Sequence, residues 1–122
     1  MTHDGVHAMI RSAIGGDADA MSWVVTNADE IDDAVLLAMA ALLERLPDRL
    51  DRAAAVAATS RDRQVVAIAR AHMEQERELV DALVRDHLVD YPDSLIVAWI
   101  ASDAVARARG TAELRSPAAG DT

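Results

Sequence analysis

The chain contains no cysteine, no phenylalanine and no lysine; all 12 of its cationic side chains are arginine. Without cysteine there can be no disulfide, no thiolate nucleophile, no iron–sulfur cluster and no cysteine-ligated zinc. Without lysine, P-loop and Schiff-base chemistry are excluded. Aromatics are limited to two tryptophans and one tyrosine. Both tryptophans, Trp23 and Trp99, are expected to anchor a core; the sharper alternative is that one sits in a partner groove. The longest unbroken apolar run, Ala34 to Leu43, has ten residues, about half of a membrane span. The N-terminus opens on Thr2, His3 and Asp4 and shows no basic region followed by an apolar run, so no secretory signal is expected. The expected location is cytoplasmic.

What is present points to helices. The 122 residues include 26 alanines, while the five glycines and three prolines sit mostly at punctuation points. Abundant alanine, arginine and aspartate beside the missing residue types fit a chain encoded by a GC-rich bacterial genome. The length suits one domain, placed at residues 1–108, with 109–122 as a flexible polar tail. The net charge of −9 argues against non-specific nucleic-acid binding and against anionic membranes. That charge is uneven: residues 1–33 carry seven acids against one arginine, and residues 64–95 carry seven against three.

The pattern predicts an all-α chain of six or seven short helices, as antiparallel hairpins or a compact bundle, with no strand. They fall at about 6–14, 19–26, 28–46, 48–58, 62–76, 78–89 and 94–107. Gly15-Gly16, Pro47 and Tyr91-Pro92-Asp93 act as stops. Asn27 and Glu30 form a capping-box pattern for the third helix, and Glu30, Asp32 and Asp33 bring negative charge to its start. Ser60 and Asp93 are the expected caps of the fifth and seventh. No strong breaker separates the fifth from the sixth, so one bent helix is the alternative. Arg70, Glu74, Arg77, Asp81 and Arg85 step by three and four and predict one solvated face.

The stretch from 62 to 107 resembles the tetratricopeptide repeat family. A small-residue helix (Val65-Val66-Ala67-Ile68-Ala69-Arg70-Ala71) leads through Glu74-Gln75-Glu76-Arg77 to a second helix that closes at Tyr91-Pro92-Asp93; Trp99 follows in the next helix. The pattern departs from the family in three places. Glu74–Arg77 replace the usual glycine, Trp99 comes one residue late, and Val80 stands where a small residue is usual. The resemblance implies stacked antiparallel helix pairs with a concave surface that binds peptides or partner proteins, and no catalysis.

Tests for chemistry return little. No Glu-x-x-His, EF-hand, P-loop or Gly-x-Ser-x-Gly pattern occurs, so neither an enzyme nor a cofactor is expected. His3 and His7, spaced i, i+4, suit one metal on a helix face, with fraying at the terminus against it. His72 falls on an apolar stripe and His87 lies between Val84 and Leu88; each is expected to be a core or half-buried histidine with one hydrogen-bond partner. The leading expectation is a protein-interaction module whose groove uses Ala54, Ala57, Val65 and Ala69. Acidic edges at Glu74, Glu78 and Asp81 would favour a basic or amphipathic segment, with Trp99 as a candidate contact. The alternatives are a metal- or ligand-binding bundle using His72, Glu76 and His87, and a homo-oligomer burying one face of the last helix.

Overall fold

The computed structural model describes residues 2–102 and Val105. It is all-helical, with no strand among the described residues. The elements are α1 (His3–Ile14), α2 (Ala18–Asn27), a 3-10 turn (Ala28–Glu30), α3 (Ala34–Glu44), α4 (Asp48–Val56), α5 (Ser60–Met73), α6 (Arg77–Asp90) and α7 (Leu95–Ala101). No helix is long and apolar enough to cross a membrane, among the described residues.

Three consecutive hairpins, α1–α2, α3–α4 and α5–α6, are closed by the same turn. Each has one residue with positive φ: Gly16 (101°), Arg45 (56°) and Gln75 (61°). In each, the next residue's N–H reaches a carbonyl five residues back: Asp17 to Ser12 (3.1 Å), Leu46 to Ala41 (3.1 Å), Glu76 to Ala71 (3.0 Å). This bond satisfies carbonyls that a helix end leaves without partners. The three turns are 29 and 30 residues apart, so the hairpin is a repeating unit.

The first helices of the hairpins stack in a row. α3 packs on α1 and α5, and α7 packs on α5. The second helices lie between them: α2 touches α1 and α3, α4 touches α3 and α5, and α6 touches α5 and α7. The row also closes, because α1 touches α7. Its centre is α3, where Ala34 and every residue from Leu36 to Leu43 are buried. A helix apolar on all sides belongs inside a protein. α4 and α6 are amphipathic by contrast; α4 buries Leu50 and Ala53, and α6 buries Val80, Val84 and His87.

Several boundaries differ from the sequence expectation. Asn27 ends α2 and caps nothing with its side chain; its amide donates to the Trp23 carbonyl (2.9 Å). The cap of α3 is Asp33, whose Oδ1 accepts from Leu36 N (3.0 Å). The acidic run therefore precedes α3, and two of its members meet arginines of α4. Asp32 pairs with Arg52 (2.8 Å), and Asp29 pairs with Arg49 (3.4 Å). Thr59 caps α5, by accepting from Asp62 N (3.1 Å), and Ser60 is the first helical residue. Ser94, not Asp93, occupies the N-cap of α7. α5 and α6 are two helices, broken at Gln75, so the expected charge stripe spans two axes and is no single face. α7 ends at Ala101, with Ser102 as its extended C-cap. Beyond Ser102 only Val105, itself helical, is described, so the rest of the expected stretch to Arg107 lies outside the described residues. The expected tail at 109–122 lies outside the described residues.

Candidate functional site

One open, largely apolar feature among the described residues is a groove of about 450 Å³ along the outer side of α5. Its floor is Val66, Ala67 and Ala71 of α5, its walls are Ala54 of α4 and Leu79 and Leu83 of α6, and its exposed lining is mostly apolar. The groove follows from side-chain size. α4 and α6 flank α5, and alanines at 54, 67 and 71 are too short to fill the space between them. Leu79 stays 42 % exposed beside it, an incompletely buried large apolar side chain.

Charge is arranged along the rim. Arg63 and Arg70 contribute on the α5 side, and Arg70 is held by Asp51 of α4 (3.0 Å). Glu74 and Glu76 close the opposite end at the α5–α6 turn. Glu76 is held above the usual carboxylate range because the Glu74 carboxyl shares a hydrogen bond with it, partial desolvation disfavours its charge, and Glu74 repels it. Two carboxyl groups forced together at the end of an apolar groove favour a cation arriving there.

The residues expected from sequence distribute differently. Val65 and Ala69 are 1 % and 0 % exposed and face the core, so they line no groove. The open groove lies on the other side of the same helix. Trp99 is likewise buried. Ala57 follows the last residue of α4, half-buried against the core. Ala54 and Glu74 do line the groove. Glu78 and Asp81 are exposed on α6; Asp81 borders a second, more polar depression, which also contains His72 and Glu76.

His87 does not join His72 and Glu76. It is buried, and both ring nitrogens are engaged: Nδ1 with Gln64 Oε1 (2.8 Å) and Nε2 with Ser94 Oγ (3.0 Å). With Gln64 Oε1 accepting, Nδ1 carries the proton and Nε2 accepts from the serine hydroxyl, a fully satisfied neutral imidazole. Burial pushes the His87 pKa down, the Arg61 charge adds to this, and Asp90 partly opposes it. Tyr91 packs beside the imidazole with ring centroids 5.0 Å apart, and the Arg61 guanidinium lies 5.0 Å from the tyrosine centroid. The cluster pins α5, α6 and the start of α7 together. It leaves no imidazole nitrogen for a metal.

One group that the sequence reading left in two places is brought together. His3 and His7 of α1 meet Asp33, the cap of α3. The i, i+4 spacing of the histidines is legible in sequence; Asp33 is 26 residues beyond His7, and no local signal connects them.

Compared with protein-family models, with curated proteins and with solved structures, the chain matches none.

Proposed function

We propose that this protein is a non-catalytic interaction module that takes an amphipathic helical segment of a partner protein into the groove between α4 and α6. The observation that carries this reading is the open alanine floor beside the exposed Leu79. Helix-in-groove recognition uses such a surface: apolar side chains at i, i+3, i+4 and i+7 enter a trough, and charges at its ends fix direction. The Glu74–Glu76 end selects a basic residue, and Arg63, about three turns away along α5, an acidic one.

The stacked hairpins support the likeness to tetratricopeptide repeats, although their turns recur every 29 or 30 residues against about 34 in that family. The resemblance implies a concave binding surface, which the row α1, α3, α5 and α7 would offer on one side. Here the contact between α1 and α7 closes that side, which is why the docking surface is placed on the outside.

The reading is tested by selecting binders from a displayed library of short helical peptides against the immobilised chain. The selected peptides are expected to share an apolar i, i+3/i+4, i+7 stripe with a basic residue at one end, and to lose binding to Ala67→Glu and Leu79→Asp. Both positions are exposed, so the substitutions leave the core intact. Absence of enrichment, or binders indifferent to both substitutions, overturns it.

A further inference from the structure

We propose that His3, His7 and Asp33 form a binding site for a divalent transition cation of the zinc class, which clamps α1 to the start of α3. One ligand atom from each residue lies within 4.8 Å of the others. Asp33 Oδ2 is 3.9 Å from His3 Nδ1 and 3.7 Å from His7 Nε2, and the two imidazole rings stand 4.0 Å apart. In a tetrahedral set with metal–ligand bonds of about 2.0 Å, neighbouring donors lie about 3.3 Å apart. The observed separations therefore need to close by about half an ångström on each carboxylate–imidazole edge.

The carboxylate is already oriented. Asp33 Oδ1 accepts from Leu36 N (3.0 Å) as the cap of α3, leaving Oδ2 aimed at both histidines. A ligating carboxylate fixed by a second hydrogen bond is the usual outer-shell arrangement of a metal site. Its side chain is 11 % exposed, while those of His7 and His3 are 41 % and 74 % exposed. The site thus has a rigid inner ligand and two that adjust from solvent, with positions left for water. Helical spacing supplies the histidine pair, since residues four apart share a face.

The donor set decides the cation. Two imidazole nitrogens and one carboxylate oxygen suit zinc, nickel or ferrous iron. Calcium and magnesium require sets made mostly of oxygen. Charge points the same way, since residues 1–33 hold seven acids and one arginine. The acids at Asp29 and Asp32 are already taken by arginines of α4, whereas the carboxylate of Asp33 faces only imidazoles among its described ion-pair partners.

Calorimetric titration of the tag-free full chain with zinc chloride tests this, with magnesium chloride as control. The absence of cysteine removes thiolate background. One equivalent of zinc is expected to bind and to raise the melting temperature, and magnesium is expected to do neither. His3→Ala, His7→Ala and Asp33→Asn should each weaken zinc binding about tenfold or more. Asn is as good a helix cap as Asp, so Asp33→Asn separates loss of the ligand from loss of the cap; His72→Ala should leave binding unchanged. No saturable zinc binding, or binding unaffected by the three substitutions, overturns the proposal.

Discussion

His87 is the residue whose environment has the sharpest thermodynamic consequence. Its pKa is lowered in the folded protein, so as pH falls below the unfolded value of about 6.5 the unfolded chain takes up the proton first and stability declines. Above that pH the stability it contributes is fully present. Urea midpoints measured between pH 7.5 and 5 should fall with acid in the native protein, and the slope should be smaller in His87→Gln. Equal slopes in the two proteins would show that other groups dominate. Truncation is a separate matter: His87→Ala leaves Gln64 and Ser94 without their partner in a buried site and should cost about 2–4 kcal/mol in equilibrium unfolding. Sequence predicted a core histidine with a partner here. It could not supply the partners' identities, because Gln64 lies 23 positions away and only the packing of α5 on α6 brings it near.

Among the described elements, the hairpin turns hold the most backbone strain. Arg45 and Gln75 hold left-handed backbone that side chains other than glycine adopt at a cost. Arg45→Gly and Gln75→Gly should therefore each raise stability, by about 0.5–1 kcal/mol in denaturant titration. The first hairpin offers the converse. At Gly16, φ is 101° and a Cβ would meet nothing within 4 Å, so Gly16→Ala should lose about 1 kcal/mol through backbone strain alone. Gly15→Ala, at right-handed φ −73°, should be close to neutral.

The stops at Gly16, Pro47 and Pro92 were legible because glycine and proline constrain backbone directly. The caps were less so. Asn27 and Ser60 stand near competing cap-forming side chains, and Asp33 and Thr59 make the cap bonds instead. Ser94 takes the N-cap position of α7 with no side-chain cap bond, its hydroxyl being engaged by His87. The break at Gln75 had no glycine to announce it; an ordinary residue accepts positive φ there because two turn hydrogen bonds, Gln75 N to His72 O and Glu76 N to Ala71 O, compensate.

At the scale of the whole molecule, α3 explains why the hairpins do not remain an open array. Its ten-residue apolar run could have been read as a core helix from composition, and the structure places it at the centre, shared by α1, α2, α4 and α5. Leu42→Ala, at a site with no exposure, should cost about 2–5 kcal/mol and broaden or abolish cooperative thermal unfolding. The face proposed for docking was harder to read than the core. α5 carries small residues on two sides: Ala69 lets α3 approach, while Ala67 and Ala71 leave the outer groove. Sequence spacing marks both stripes alike, and only the positions of α4 and α6 decide which one is covered. The uncovered stripe is the one proposed to dock a helix. Amide chemical-shift mapping of the chain, titrated with a peptide selected against it, tests this most directly. Perturbations gathered at Ala54, Ala67, Ala71, Leu79 and Leu83, with Trp99 and Val65 unmoved, are the predicted result; shifts centred on any other surface would contradict it.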